Sequence, residues 1–293
     1  MRLRDKYRPY GLSWLTAGWF TIVFCGAVLA VCFPSWPGVH ALWILWLTTG
    51  LGVTAGFHRL LTHNSFQTYR PVKWIFALAG SLAGQGPPLY WVTRHREHHR
   101  YSDAPGDPHS PRDFQNRWLG FLWSHMLWML QRVLPEERRR LYEQYARDLY
   151  TDRVLRILDS NAVFIGCHLL FGACLYTFGL WLWDAYIALS LLLWGLFFRM
   201  VVVFHWTWAV NSLGHMFGYR NYQTRDDSRN NLLIALPSLG EGWHNNHHHA
   251  QQAANHGQRW FEIDPTYYFI RLLVWLRLAW NVRVWNYRRQ EWT

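Results

Sequence analysis

Four long apolar runs divide the polar parts of this chain. Arg199 is the only Asp, Glu, Lys or Arg inside them, and their bounds are 14–33, 39–57, 162–183 and 185–209. A helix rises about 1.5 Å per residue, so about 20 apolar residues cross a hydrocarbon layer of about 30 Å. The pattern predicts four transmembrane helices, with buried core helices of a large soluble protein as the alternative.

A fifth apolar stretch, 73–92, is interrupted by GQGPP at 84–88. Because proline breaks a helix, we expect a short interfacial or re-entrant helix pair here rather than a fifth span. The remaining sequence, 58–161 and 210–293, is predicted to form a cytosolic helical cap. The prediction is therefore an all-α integral membrane protein with a single domain over 1–293.

The basic residues indicate which side of the membrane the cap occupies. Of 29 Lys and Arg residues, 28 precede residue 14, lie between 58 and 161, or follow residue 210. Basic residues of short loops favour the cytoplasmic side, so four crossings with both termini and the cap in the cytoplasm are predicted. The net charge of +11 then indicates a cap that faces anionic membrane lipids or an acidic redox partner. No nucleic-acid-binding motif is present, and nucleic acid is not an expected partner.

Three histidine-rich segments lie in the predicted cap. They read HRLLTH at 58–63, HREHH at 95–99 and HNNHH at 244–248. Positions i, i+3 and i+4 share a helix face, so each HxxHH segment can present three imidazoles to one point. His58 and His63 are five residues apart and do not share a face of an α-helix. Either the helix ends between them or they serve different metals.

Eight clustered imidazoles exceed the four ligands of a structural zinc site, which predicts two metal ions. Imidazole binds Fe, Zn, Cu and Ni, so the ligand type leaves the metal open. Carboxylates are expected to hydrogen bond the ligand histidines and to offset the charge of the ions. The candidates next to the histidine segments are Glu97, Asp103, Asp107 and Glu241.

These motifs, in this order, resemble those of the membrane fatty acyl desaturases, and specifically the acyl-CoA and acyl-lipid delta-9 branch that includes the stearoyl-CoA desaturases. The resemblance covers about residues 40–280. It rests on GVTAGFHRLLTH (52–63), HHRYSDAPGDPH (98–109), VNSLGHMFGYR (210–220) and GEGWHNNHH (240–248). That family has four spans and a cytosolic cap.

The resemblance implies a di-iron centre and adds two residues to the site. His215 is implied as a ninth ligand, and Asn211 as the residue that holds a metal-bound water. The implied ligands are His58, His63, His95, His98, His99, His215, His244, His247 and His248. The other cap histidines are expected to have structural or supporting roles, namely His109, His125, His205, His249 and His256.

The implied reaction uses dioxygen and two electrons to introduce a cis double bond, expected at carbon 9 of a saturated C16–C18 acyl chain. By the same resemblance, Trp46 and Gly50 are expected to limit the tunnel that holds the chain. Arg94, Arg96 and Arg100 are available for the head group of a fatty acyl-CoA or acyl-lipid substrate. The segment SPRDFQNRWL (110–119) departs from the family pattern, which leaves the carrier open.

The sequence contains no fused haem-binding domain, so we expect a separate electron donor such as a ferredoxin or cytochrome b5. Arginine outnumbers lysine by 27 to 2, which indicates a GC-rich genome and a bacterial inner membrane. Two alternatives stay open on the motifs alone. One is a di-iron membrane hydroxylase or oxygenase, and the other is a non-enzymatic membrane metal carrier.

Overall fold

The computed structural model describes residues 3–7 and 10–292. Its regular structure is almost entirely helical, as predicted. The helices are α1 (Leu3–Lys6), α2 (Trp14–Ala30), α3 (Trp36–Thr62), α4 (Arg70–Leu82), α5 (Pro88–Tyr101), α6 (Arg117–His125), α7 (Pro135–Tyr145), α8 (Arg147–Tyr150), α9 (Arg153–Leu158), α10 (Asn161–Leu182), α11 (Ala185–Met216), α12 (Leu232–Ala235), α13 (His244–His249) and α14 (Pro265–Trp275).

The other regular elements are short. Pro111–Asp113 and Leu127–Leu130 form 3-10 turns, and α3 and α11 contain the π-helical segments Gly52–Thr62 and Leu193–Phe198. Four two-residue strands form two antiparallel pairs. They are β1 (Gln67–Thr68) with β2 (Ala279–Trp280), and β3 (Trp285–Asn286) with β4 (Glu291–Trp292).

Among the described residues, three helices are long and apolar enough to cross a membrane, namely α3 with 27 residues, α10 with 22 and α11 with 32. They cover three of the four predicted spans, although α3 and α11 continue beyond the predicted ends at residues 57 and 209. Helix α2 is apolar but has only 17 residues, so the fourth crossing stays a prediction. The continuous extension of α3 and α11 carries histidines out of the apolar region.

The apolar helices pack through aromatic side chains. Phe20 on α2 contacts Phe204 and Trp208 on α11 at ring-centroid distances of 5.6 and 5.5 Å, both edge to face. Edge-to-face contacts are a favourable arrangement of aromatic rings. They fix α2 against the half of α11 that leads to the histidines.

The GQGPP segment separates α4 from α5, as the sequence predicted. Gly84 and Gly86 adopt positive φ angles of 83° and 111°, which glycine tolerates without steric cost. The guanidinium of Arg199 is fully buried and donates to the carbonyl of Leu82 at this break. A buried cation needs such partners, and the bond ties α11 to the end of α4.

Helix α4 crosses α3 at a glycine contact. A Cβ added at Gly52 would lie 2.4 Å from the backbone nitrogen of Gly80 and 2.5 Å from the carbonyl carbon of Ala79. Backbone atoms cannot move aside as a flexible side chain can, so the two helices approach this closely only because residue 52 has no side chain.

We expect Gly52→Leu to destabilise the fold by at least about 1–3 kcal/mol, the usual cost of overpacking. The measurement is the thermal midpoint of the detergent-solubilised protein, together with the fraction that elutes as a monodisperse peak. Gly166→Leu on α10 is the matched control, because a Cβ there meets nothing within 4 Å. Equal midpoints for the two variants would contradict the close contact.

Candidate metal centre

The π-helical end of α3 brings His58 and His63 together. A π-helix has i→i+5 hydrogen bonds, so residues five apart share a face. The backbone nitrogen of His63 donates to the carbonyl of His58 at 3.2 Å, and the two ring centroids are 4.8 Å apart. Helix α3 ends at Thr62, so the helix does end between the two histidines, which was one of the two alternatives. Both histidines belong to the same cluster, so the structure does not support the other alternative, that they serve different metals.

The nine histidines implied by the family resemblance lie together in two clusters. Within each cluster the nearest ring nitrogens lie within 4.8 Å of one another. The five-histidine cluster contains His58, His63, His95, His99 and His247, and the four-histidine cluster contains His98, His215, His244 and His248. Helices α3, α5, α11 and α13 supply them. Each HxxHH segment divides its histidines between the clusters, whereas the sequence predicted that all three would face one point.

The ring nitrogens are arranged as ligands of metal ions would be. Nε2 of His247 lies 3.1 Å from Nε2 of His58 and 2.9 Å from Nε2 of His99. In the other cluster, Nε2 of His215 lies 2.9 Å from Nε2 of His244. Two ligands at about 2.1 Å from one ion and about 90° apart are separated by about 3 Å, so these spacings fit two ions.

The protonation of the site also fits metal binding. Burial lowers the pKa values of His95, His99 and His244 well below the usual value, and neighbouring imidazoles lower them further. Each is therefore neutral near pH 7, the form that binds a metal. Nε2 of His98 and Nε2 of His248 are buried without a hydrogen-bond partner among the described residues, which leaves their lone pairs available.

Four carboxylates contact the outer nitrogens of the clustered histidines. Three of them serve the four-histidine cluster and one serves the other cluster. The Nδ1–oxygen distances are 3.0 Å for His98–Asp107, 2.7 Å for His215–Asp103, 2.7 Å for His248–Asp226 and 2.6 Å for His58–Glu241. A carboxylate that accepts from Nδ1 fixes the ring orientation and leaves Nε2 for the metal.

These carboxylates are held ionised despite their burial. Burial raises the pKa of Asp107, but the contacts with His98 and His109 outweigh it and hold the pKa well below its usual range. Burial also raises the pKa of Asp226, and the hydrogen bond from His248 reverses that effect. Four ionised carboxylates can together offset the charge of two divalent ions.

The predicted carboxylates included three of these four. Glu97 does not contact a clustered histidine in the described residues, because its Oε2 accepts from Arg94 Nη1 at 2.6 Å. Burial raises the pKa of Glu97, and Arg94 opposes the shift. The sequence analysis missed Asp226, which lies 22 residues before its partner His248 and outside the histidine motifs.

A buried ion-pair network supports the five-histidine cluster. The fully buried Arg59 donates to Asp264 at 2.9 Å and to Glu241 Oε1 at 3.0 Å, while Glu241 Oε2 faces His58. His256 Nδ1 lies 3.3 Å from the same Oε2 atom. Arg59 therefore positions the carboxylate that orients His58.

The remaining histidines with predicted structural roles have partners of their own. His109 stacks on His98 with ring centroids 4.2 Å apart. His125 Nε2 lies 3.1 Å from His205 Nδ1 on the outer side of α11. His249 stacks on Tyr222 at a centroid distance of 3.7 Å.

A cavity of ≈ 210 Å³ leads from the surface to the histidines. Its outer end includes Leu15 and Asn161, in the first turns of α2 and α10, and these are the exposed residues of its described lining. Its inner end includes His95, His109 and Asn211. The outer opening therefore lies between two apolar helices, next to their polar ends.

A second, smaller cavity of ≈ 40 Å³ continues from the first. The two cavities share Trp91, His95, Thr207 and Asn211 in their linings. Gln85 donates to the hydroxyl of Thr207 at 2.8 Å in the wall of the larger cavity. A long, thin substrate that occupied both cavities would pass the histidines where the cavities meet.

Comparison with known proteins decides the family. The fatty acid desaturase family model matches residues 34–267, a segment that includes all nine clustered histidines. This chain belongs to the fatty acid desaturase family.

Several relatives of this desaturase align over almost its whole length. The sn-1 stearoyl-lipid 9-desaturase of Anabaena variabilis is 40% identical over 288 residues, which cover 97% of this chain and 98% of the relative. The sn-1 stearoyl-lipid 9-desaturase of a Synechocystis species is 37% identical, with 93% and 80% covered. The icosanoyl-CoA 5-desaturase of Limnanthes douglasii is 39% identical, with 96% and 74% covered.

Two residues predicted to limit the substrate tunnel of this desaturase lie outside both cavities. Trp46 and Gly50 line neither of the two cavities. Trp46 packs beside the buried residues Val53, Ala83 and Val203, and a Cβ at Gly50 would lie 2.9 Å from Leu239. Their role at the end of a tunnel stays a prediction.

The three arginines predicted to bind the head group have different contacts from one another. Arg94 lines the larger cavity. Arg96 donates to the carbonyls of Leu61, Thr62 and Tyr145 and to Asp148, so its guanidinium is occupied within the cap. Arg100 lies 5.6 Å from the centre of the Tyr101 ring, outside both cavities. Head-group binding stays a prediction for the three arginines, and Arg94 is the one of them that lines a described cavity.

We expect Asp226→Asn to lower the affinity of the desaturase for metal about 10- to 100-fold, because His248 loses the anion that orients its ring. The measurement is the metal content of the purified protein after dialysis against graded chelator concentrations. Glu143→Gln is the control, since Glu143 forms an exposed ion pair with Arg139 at 3.1 Å. Unchanged metal retention in Asp226→Asn would refute the role assigned to this carboxylate.

Proposed function

We propose that the chain is an oxygen-dependent desaturase of the membrane that introduces a cis double bond at carbon 9 of a saturated C16–C18 acyl chain. The observation that carries the proposal is the position of the two histidine clusters beside the junction of two connected cavities. Membership of the desaturase family and the lipid 9-desaturases among the relatives support the reaction and the position of the bond.

Two iron ions, held by the nine clustered histidines, would supply the oxidation of unactivated methylenes, which side chains alone cannot perform. The chain itself positions the substrate. The hydrogen-bonded pair Gln85 and Thr207 gives the cavity wall a polar point, and Trp91 gives it an apolar face. Enclosure between helices excludes water and holds one carbon pair beside the site. We propose that Asn211, which is four residues before His215 and lines both cavities, holds a water at the four-histidine cluster.

The proposed topology has four crossings by α2, α3, α10 and α11, with both termini, the cap and the active site in the cytoplasm. The distribution of basic residues and the three long apolar helices support it. Helix α2 is shorter than the other three, but it is also apolar and it packs on α11. A single domain over 1–293 and a bacterial inner membrane belong to the same proposal.

We further propose that the acyl chain is carried by a membrane lipid. The larger cavity opens between the first turns of α2 and α10, where the proposed topology places the cytoplasmic leaflet. Ser13, Thr16 and Asn161 could contact the polar glycerol ester while the acyl chain enters the cavity. The lipid substrates named for the Anabaena and Synechocystis relatives agree with this route.

We expect a desaturase-deficient bacterial host that expresses the chain and a ferredoxin to accumulate C16 and C18 acids with a double bond at carbon 9. His98→Ala and His247→Ala should lose this product, because each removes a ligand from a different cluster. Mass spectrometry of the fatty acids locates the bond. His40→Ala is the control, since His40 is exposed, lies far from the histidine clusters in sequence and contacts the carbonyl of Trp36 through its Nδ1 at 2.7 Å.

The other outcomes distinguish the alternatives. Hydroxylated acids in place of unsaturated acids would favour a di-iron hydroxylase. Bound metal without oxygen consumption in the presence of acyl lipid and reduced ferredoxin would favour a metal carrier. Unsaturated acids that persist in both histidine variants would refute the proposed site.

The lipid carrier is tested at the cavity opening. We expect Ile165→Trp, which places a large ring in the lining, to lower the rate on stearoyl lipid in liposomes about tenfold or more by obstructing the opening. Leu169→Trp, one turn later on the same helix, is exposed and outside the lining, so its rate should be unchanged. Turnover of stearoyl-CoA, with none of the lipid, would refute the lipid carrier.

A further inference from the structure

A ladder of aromatic rings connects the surface of the cap to the four-histidine cluster. Trp292 is half exposed, and its ring lies 5.2 Å from that of Trp285. The Trp285 ring lies 5.3 Å from His249, which stacks on Tyr222 at 3.7 Å with an interplanar angle of 2°. His249 is bonded through the backbone to His248, a member of the cluster.

Hydrogen bonds fix this ladder to the site. Trp285 Nε1 donates to the hydroxyl of Tyr222 at 3.0 Å. The backbone nitrogen of Tyr222 donates to Asn245 on α13 at 2.8 Å. The β3–β4 hairpin, the loop around Tyr222 and α13 therefore form one connected unit. The aromatic ladder connects the exposed side of this unit to His248.

The same face is strongly basic. Five exposed arginines lie on it, namely Arg220 and Arg225 in the loop, Arg288 and Arg289 in the hairpin and Arg283 just before β3, whereas Glu291 is the exposed acidic residue in the described segments 219–229 and 283–292. Arg289 and Glu291 are separated by 3.5 Å and are largely exposed, so water screens their interaction. Clustered positive charge of this kind attracts an acidic partner and accelerates its association.

We propose that this face, formed by the β3–β4 hairpin and the loop 219–226, docks an acidic one-electron carrier protein. The inference rests on the proposed desaturase function, which requires electrons. Per turnover, the carrier would deliver two electrons in two encounters. Together with two protons, one dioxygen and the two hydrogens removed from the acyl chain, they yield two waters and the double bond.

The position of this face agrees with its role. Its contacts reach the four-histidine cluster through His248 and His249, whereas the larger cavity reaches the histidines through His95 and His109. None of the five arginines lines either cavity. A carrier bound here would bring its redox centre towards the metals without covering the opening between α2 and α10.

The test uses the full chain in nanodiscs with reduced plant-type [2Fe–2S] ferredoxin as the probe. We expect Arg288→Glu/Arg289→Glu to raise the ferredoxin concentration for half-maximal turnover about tenfold at low salt, and the difference from the unsubstituted protein to shrink as salt increases. Arg139→Glu/Arg140→Glu, a matched pair of exposed arginines on α7, should leave this concentration unchanged. Turnover driven by a photoreduced flavin should be the same in all three proteins.

Direct binding of oxidised ferredoxin to the same nanodiscs separates the docking surface from the proposed function. A protein that forms no double bond with either electron source would refute the desaturase function, while the binding comparison would still report on the surface. Equal ferredoxin affinity and equal half-maximal concentration in the β3–β4 variant and the unsubstituted protein would overturn the docking proposal.

Discussion

The structure depends on burying nine closely spaced imidazoles together and turning their free nitrogens inward. A protonated imidazole among eight others would face both desolvation and repulsion, and burial accordingly lowers the pKa values of histidines in both clusters. A neutral ring still has to be oriented. Carboxylates on the outer nitrogens of His58, His98, His215 and His248 provide that orientation. Loops and turns of the cap supply these carboxylates.

This arrangement makes the two clusters unequal. Three carboxylates contact the four-histidine cluster, whereas the other cluster has Glu241, whose charge is shared with Arg59. An ion in the four-histidine cluster would therefore experience a more negative environment. The three carboxylates contact His98 on α5, His215 on α11 and His248 on α13. These contacts therefore also connect three separate helices.

The sequence predicted the helical class, most of the apolar helices and the nine histidines, because these depend on local pattern and on a family motif. It did not predict how the histidines divide, since that depends on tertiary structure. His58 and His63 share a face only because α3 changes to a π-helix. Glu97 is adjacent to the ligands in sequence, but on a helix its side chain points away from the face shared by His95, His98 and His99. Asp226 reaches His248 from a loop, which no spacing rule encodes.

The lining of the larger cavity is likewise not predictable from the sequence. The family resemblance implied Trp46 as a residue of the tunnel, yet the larger cavity lies between α2, α5, α10 and α11, and Trp46 is not in its described lining. Hydropathy places a helix in the membrane but does not determine which of its faces lines a cavity. The break at GQGPP has a direct effect here, because Gly84, Gln85 and Pro87 all line the cavity that the break opens.

The larger cavity and the basic face contact different histidines, and this separation follows from the order of the elements. The opening of the larger cavity is formed by the first turns of α2 and α10, while the basic face is formed by segments that follow α11. Helix α13 carries His247 in one cluster, His248 in the other and His249 against Tyr222. Three consecutive residues thus connect the five-histidine cluster, the four-histidine cluster and the basic face. A short helix with three adjacent histidines can do this because successive residues point about 100° apart.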